Sequence, residues 1–172
     1  AAMTATAEAG TQTAEAAMTE TPEAGLFSDH DHWVKLEYWS TIQTADVDGD
    51  GQAELLARGT DGIQTYHFKA SNGTWEPVAS ANPEWSDAAG WFYDHYYSTI
   101  QTADVDGDGQ AELLARDKDG METFRFNAST DTWELVVGDS PSFSDTDEWV
   151  KPEYWSTIQT ADVDGDGQAE LL

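Results

Sequence analysis

The chain of 172 residues has no cysteine, and it has only 7 basic residues against 34 acidic ones. Without cysteine, neither disulfides nor a thiolate metal site can hold the fold together. The formal net charge of −27 argues against nucleic acid or an anionic membrane surface as a partner, because both attract basic proteins. No apolar run approaches the roughly 18 residues that a membrane-spanning helix needs, so we expect no membrane insertion.

Aromatic residues are plentiful by contrast, with 8 Trp, 6 Tyr and 6 Phe. An acidic chain that is poor in aromatics would be typical of disorder. This chain has the apolar side chains, and the length, to build a core. The like charges oppose compaction by self-repulsion unless bound cations neutralise some of them.

The amino end differs in composition from the rest of the chain. The segment "AAMTATAEAG" at 1–10 returns as "AAMTETPEAG" at 16–25. This low-complexity Ala/Thr/Glu segment lacks the basic and apolar regions of a signal peptide. We expect residues 1–24 to be a solvated tail or linker, with docking on a neighbouring chain as the alternative.

From Gly25 onward the chain repeats itself with a period of 58 residues, so that Ser40, Ser98 and Ser156 are equivalent. The run "STIQTADVDGDGQAELL" is identical in the three copies. A fixed period of this size indicates an architecture in which each unit buries its apolar face against the next. The predicted units are repeat 1 at 25–82, repeat 2 at 83–140 and a partial repeat 3 at 141–172.

Within a unit the local signals are those of short strands. The segments "STIQTAD" and "AELLAR" flank the acidic loop. The segment "GIQTYHF" (62–68) largely alternates between apolar and polar residues, and "TWEPV" (74–78) follows a turn. No long segment has helical periodicity. These signals predict an all-β fold of β-propeller-type blades, each of about four antiparallel strands, with about two and a half blades present. The Trp and Tyr positions are predicted to pack between blades.

The acidic loop brings carboxylates to positions 1, 3, 5 and 9, which are Asp46, Asp48, Asp50 and Glu54 in the first copy. Alternate residues of a tight loop point inward, so these side chains converge on one point. The carbonyl of Gln52 at position 7 can add another oxygen. Oxygen ligands suit a hard cation, and their number favours calcium over magnesium.

Two other interpretations of the loop are weaker. An EF-hand begins with the same acidic pattern but needs a glutamate at position 12 and flanking helices. Position 12 is Ala57 or Ala115 here, and the flanks have strand character. A plain Asp-Gly hairpin with solvated acids is the second alternative, which three identical copies disfavour.

The segment "IQTADVDGDGQAELLAR" resembles the FG-GAP/VCBS repeats of integrin-like β-propellers, a family that includes calcium-binding propeller lectins. The eponymous Phe-Gly and Gly-Ala-Pro motifs are absent, so the resemblance, which covers residues 25–172, is nearer to the VCBS branch. Family propellers have several more blades, so a closed ring within this chain is not implied. The resemblance implies calcium ligands at Asp46, Asp48, Asp50, Gln52 and Glu54, at Asp104, Asp106, Asp108, Gln110 and Glu112, and at Asp162, Asp164, Asp166, Gln168 and Glu170.

The residues offer little for catalysis. Every unit repeats the same acids, which suits ligation better than an acid and a base held in different environments, so we expect no enzyme. His30 and His32 have metal-like spacing, but the equivalent residues of repeat 2 are Ala88 and Gly90.

Two classes of function remain open. The first is a secreted or cell-surface calcium-binding module, most concretely a lectin or adhesin with a glycan or glycoprotein ligand. Its candidate ligand-binding residues, which are equally plausible as core, are Trp39, Trp85, Trp91, Arg58 and Arg116. The second is a structural protein that self-associates through its incomplete third blade into an oligomer or filament.

Overall fold

The computed structural model describes residues 26–29 and 33–172. The predicted tail at 1–24, together with His30 and His32, lies outside the described residues. None of the helices in the described part is long and apolar enough to span a bilayer.

The described residues form three antiparallel sheets that follow one another along the chain. The first sheet has the order β1-β2-β3-β4, the second has the order β5-β6-β7-β8, and the third pairs β9 with β10. The strands are β1 Gln43–Ala45, β2 Glu54–Gly59, β3 Gly62–Lys69, β4 Thr74–Asn82, β5 Gln101–Ala103, β6 Glu112–Arg116, β7 Met121–Asn127, β8 Thr132–Ser140, β9 Thr160–Ala161 and β10 Glu170–Leu171. The prediction of an all-β fold made of incomplete blades is confirmed.

A single turn of α-helix precedes the first strand of each sheet: α1 Leu36–Trp39, α2 Asp94–Tyr97 and α3 Pro152–Trp155. Sequence analysis expected only a connection here, because four residues are too few to show helical periodicity. The first of these turns ends where the Ser40 hydroxyl donates to the Leu36 carbonyl (2.6 Å). The turns deliver the chain to the start of the strand that leads into each acidic loop.

The hairpin between β2 and β3 depends on Gly62, which has φ +116°. A Cβ at Gly62 would lie only 1.6 Å from the Asn82 carbonyl oxygen, so any side chain there would push β4 away. Gly120 makes the same approach to Ser140 in the second sheet. Ile63 pairs with Asn82, so β4 extends to Asn82, beyond the predicted end at residue 78.

The core lies between consecutive sheets rather than within one. Every residue of β6 is buried, and β2 is buried at all positions except Leu55. The indoles of Trp85 and Trp91 stack with their centroids 4.8 Å apart, and Trp85 meets Phe124 edge-on. These residues belong to the largest cluster, which draws on both four-stranded sheets and comprises Val47, Leu56, Ile63, Trp85, Trp91, Tyr97, Ile100, Leu113, Ala115, Phe124 and Phe126.

A buried ion pair also crosses from the first repeat to the second. Arg58 in β2 is fully buried, and its Nη2 donates to the Asp87 carboxylate. Its Nε donates to the Trp85 carbonyl (2.9 Å), and the Tyr38 hydroxyl donates to Asp87 Oδ2 (2.6 Å). Burial alone would raise the pKa of Asp87, but the hydrogen bonds from Tyr38 and Arg58 outweigh it and lower that pKa below its usual value.

The second repeat makes the same connection to the third. The guanidinium of Arg116 in β6 donates to Asp145, and its Nε donates to the Phe143 carbonyl (2.5 Å). The Tyr96 hydroxyl donates to Asp145 Oδ2 (2.8 Å). Each buried arginine therefore joins its own sheet to the connection that opens the next repeat.

We predict that Asp87→Ala lowers the free energy of unfolding by about 2–3 kcal/mol, because it leaves the Arg58 charge buried without a partner. The effect falls below that of a fully buried pair because the Asp87 side chain is 26% exposed. Urea unfolding in saturating calcium measures it, with the exposed residue Glu84 changed to Ala as the control. The lowered pKa adds stability above about pH 4, so the advantage of the wild type should shrink below that pH. Equal midpoints for the two variants at pH 7 would contradict the prediction.

Candidate metal centres

Each acidic loop joins the first two strands of its sheet. The strand pairing places Ala45 opposite Glu54 in the first sheet and Ala103 opposite Glu112 in the second. The third sheet has the same register, with Ala161 opposite Glu170. The pairing therefore holds the two ends of each loop together and fixes the first and ninth loop positions near each other.

Local hydrogen bonds then shape the loop. In the first copy, Asp46 accepts from the backbone N–H groups of Gly49 (2.8 Å) and Gly51 (2.9 Å). Asp48 accepts from the Asp50 N–H (3.0 Å), and Asp50 accepts from the Gln52 N–H (2.7 Å). Gly49 and Gly51 have φ of +78° and +86°, a conformation that glycine adopts without strain. The loop thus turns its aspartates toward one another.

Three of the four carboxylates that the spacing places at positions 1, 3, 5 and 9 converge in each loop. In each loop, three acidic residues offer oxygens that all lie within 4.8 Å of one another. Calcium holds its ligand oxygens at 2.3–2.6 Å, so a calcium ion fits between oxygens at this separation. The three groups are Asp46, Asp48 and Asp50; Asp104, Asp106 and Asp108; and Asp162, Asp164 and Glu170.

The glutamate at position 9 accepts from the backbone N–H at position 2 in all three copies, but it belongs to the converging group in the third copy alone. Glu54 is buried beneath its loop, and its Oε2 accepts from the Val47 N–H (3.1 Å). Burial raises the pKa of Glu54, and the charges of Asp48 and Asp50 raise it further. In the third copy Glu170 joins the converging group, and Asp166 is the aspartate outside it. Glu54 therefore lies outside the converging group of the first loop, whereas Glu170 belongs to that of the third.

The glutamine at position 7 was predicted to supply a carbonyl oxygen, and that role remains a prediction for Gln52, Gln110 and Gln168. The structure instead gives contacts for other atoms of these residues. Gln52 Nε2 donates to Asp50 Oδ2 (3.0 Å). The side chain of Gln110 lies so close to Gly49 that a Cβ on that glycine would come within 2.8 Å of Gln110 Cγ. Gln110 therefore packs against the loop of the preceding copy.

Direct hydrogen bonds link each loop to the next. The Asp46 carbonyl accepts from the Ala111 N–H (2.7 Å), and the Asp104 carbonyl accepts from the Ala169 N–H (2.8 Å). These bonds join residues 65 positions apart in the chain, which no local sequence pattern predicts. The three groups of carboxylates thus form a connected row, with the second loop in the middle.

One basic side chain outside the loops reaches the second group. Arg125 in β7 donates from Nε to Glu112 Oε1 (2.9 Å) and from Nη2 to the Asp106 carboxylate. Its Nη2 also lies 3.7 Å from Asp108 Oδ2. The hydrogen bonds from Arg125 to Asp106 and Glu112 raise the pKa of the guanidinium. Sequence analysis missed Arg125, because its position over the loop follows from the pairing of β6 with β7.

Four of the five candidate ligand-binding residues are buried, which corrects the sequence-based assignment. The side chains of Trp85 and Trp91 pack in the core, and those of Arg58 and Arg116 bind the next repeat. A buried indole has no free face for a sugar ring, so these residues serve packing between repeats. Trp39 alone among the five is exposed, at 52%.

Comparison with known proteins agrees with this geometry. A family model described as an FG-GAP-like repeat matches residues 46–115, a segment that begins at position 1 of the first acidic loop and includes all of the second loop. Among curated proteins and among solved structures, no significant match to the chain was found. The resemblance stated from the sequence is thereby confirmed over residues 46–115, which match the FG-GAP-like repeat model.

Proposed function

We propose that the chain is a secreted or cell-surface calcium-binding module of β-propeller type whose ligand is a carbohydrate. FG-GAP-like repeats suggest a binding module of this architecture. The observation that carries the calcium proposal is the convergence of three acidic residues in each of the three loops. Their donor set consists of oxygens alone, which suits a hard cation.

The proposed metal has a structural role in this arrangement. Asp46, Asp48 and Asp50 would hold the ion in the first loop, which would supply the positive charge that their mutual repulsion requires. The loop hydrogen bonds that already orient these side chains lower the cost of assembling the site. Since each loop bonds to the next through its backbone, ordering one loop also supports its neighbour.

A polar cavity supports the carbohydrate part of the proposal. The cavity has a volume of about 350 Å³ and opens between the first loop and the β7–β8 hairpin. Carboxylate, amide and hydroxyl groups surround it, and such groups pair with the hydroxyls of a sugar. Its lining is Asp48, Gln110, Arg125, Phe126, Asn127, Ala128, Ser129 and Glu134.

A second candidate function, self-association, is favoured by the exposure of equivalent residues. Phe126 in the second sheet is 2% exposed because it packs against the first sheet, whereas its equivalent Phe68 is 40% exposed. At the other end, Val47 is 0% exposed in its contact with the second sheet, whereas its equivalent Val163 is 61% exposed. Among the described residues, Phe68 and Val163 are thus exposed at positions whose equivalents are buried inside the molecule.

We therefore propose that a second copy of this chain occupies these faces, with the Phe68 face of one copy on the Val163 face of another. The contact between the first and second sheets is the template for this arrangement. A head-to-tail contact of this kind is heterologous, so it gives a ring if the rotation closes and a filament if it does not.

The calcium proposal predicts that one substitution destabilises the chain with metal but not without it. At calcium 100-fold above Kd, Asp48→Ala should cost about 2–3 kcal/mol of unfolding free energy, because a bound ion at that excess contributes about 2.7 kcal/mol. In chelator the penalty should vanish, because the substitution removes one of three repelling charges. Thermal and urea unfolding measure both effects, with exposed Asp61 changed to Ala as a charge-matched control. A wild-type melting curve that chelator leaves unmoved would rule out the proposal.

The carbohydrate proposal predicts calcium-dependent binding on a glycan array. Glu134→Ala removes an acceptor from the cavity wall, and we expect it to weaken binding by about tenfold, the loss of one charged hydrogen bond. Trp39→Ala changes the exposed indole instead. If only Trp39→Ala weakens binding, the sugar site lies at that indole and not in the cavity. A folded, calcium-loaded chain that binds no glycan contradicts the proposal.

The assembly proposal predicts a sedimentation mass that rises with protein concentration in calcium. Val163→Lys should abolish the rise, because it places a charge in the apolar contact. Phe92→Lys is the control, since Phe92 is 45% exposed and lies in the connection between β4 and α2. A folded wild-type chain that stays monomeric at every concentration contradicts the self-association proposal.

A further inference from the structure

The three acidic loops are identical in sequence but not in surroundings. Residues 40–56, 98–114 and 156–172 share the run "STIQTADVDGDGQAELL". Any difference in metal affinity among the loops must therefore come from residues outside that run. The position that faces the loop from the third strand of the sheet is His67 in the first repeat and Arg125 in the second.

Arg125 contacts the second group of carboxylates at two points. Its Nε is 2.9 Å from Glu112 Oε1, and its Nη2 donates to Asp106, a member of the converging group. The guanidinium therefore bridges positions 3 and 9 of the loop, both of which were predicted to bind the metal. Its side chain is 33% exposed, so water can reach it and the side chain has room to leave.

His67 makes a weaker contact in the first repeat. Its Nδ1 lies 3.4 Å from Glu54 Oε1, and no contact of His67 with Asp46, Asp48 or Asp50 is found among the described residues. A guanidinium carries a fixed positive charge. The second group thus has such a charge in contact with one of its members, whereas the first repeat has no guanidinium at this position.

We propose that Arg125 is an internal cation that competes with calcium at the second loop. Resting on the proposed calcium-binding function, the inference assigns the second loop a weaker affinity than the first. The guanidinium takes two carboxylates that the metal would use, and a cation within a few ångströms repels a divalent ion. The same contact holds the second loop together when metal is absent.

The second loop lies between the other two, so the contact of Arg125 with it also affects the first and third loops. That loop bonds to the first through Asp46 and Ala111, and to the third through Asp104 and Ala169. A middle loop that is neutralised from within keeps both of these bonds in place without metal. The outer loops then bind calcium beside a neighbour that is already ordered, so the entropy cost of ordering that neighbour does not reduce their affinity.

Calcium titration calorimetry of the full chain tests the inference. The wild type should show a weaker site at the second loop than at the first. Arg125→Gln should tighten the weak site by about tenfold or more, because it removes the competing charge. Lys69→Gln removes one positive charge at an exposed pair with Glu76 and should leave all three affinities unchanged.

The reciprocal variant His67→Arg places the guanidinium beside the first loop. It should create a second weak site. This result can be observed whether or not folding stability changes. In chelator, Arg125→Gln should melt at a lower temperature than Lys69→Gln, because its second loop has lost its internal cation. A merely structural arginine would lower the melting temperature without tightening calcium binding.

The outcomes separate this inference from the function it rests on. Three equal affinities in the wild type, unchanged in Arg125→Gln, overturn the inference and leave calcium binding intact. A wild-type chain that binds no calcium overturns the proposed function and the inference together. A weak site that persists in Arg125→Gln also overturns the inference, since the competing cation would lie elsewhere.

Discussion

The structure depends on contact between consecutive sheets. Strands β2 and β6 are buried on both faces, so neither sheet can shield its own core from water. Three kinds of interaction cross the same boundary: apolar packing around Trp85, the buried pair of Arg58 with Asp87, and the backbone bond from Ala111 to Asp46. A repeat is therefore stable only beside a neighbour, which is the behaviour expected of stacked units.

The same stacking brings acidic loops together and creates an electrostatic cost. The loops lie in a row because each is the first hairpin of its sheet. The chain has a net charge of −27 and few basic side chains that could offset the negative charge of the loops. Local N–H groups neutralise part of the charge, as at Asp46, but they cannot cancel three carboxylates within 4.8 Å. Cations offset the remaining repulsion: calcium from solution in the proposed sites, and the guanidinium of Arg125 from the chain itself.

Interactions that stay within one loop or hairpin could be predicted from the sequence. The convergence of Asp46, Asp48 and Asp50 follows from alternation and two glycines, and the four strands follow from turn residues. The burial of Arg58 could not be predicted, because arginine is seldom buried without a partner, and its partner Asp87 lies 29 residues away. Arg125 was missed for the same reason, since its contact with Glu112 depends on the register of β6 and β7.

Repetition of sequence does not make the repeated sites equivalent. Phe126 is buried and Phe68 is exposed, although both occupy one position of the repeat. Likewise, Glu112 contacts a guanidinium and Glu54 an imidazole, although their loops are identical. A repeat protein can thus keep one loop sequence and vary each site through a single residue on an adjacent strand. That residue changes the charge beside the loop while leaving the geometry of the loop intact.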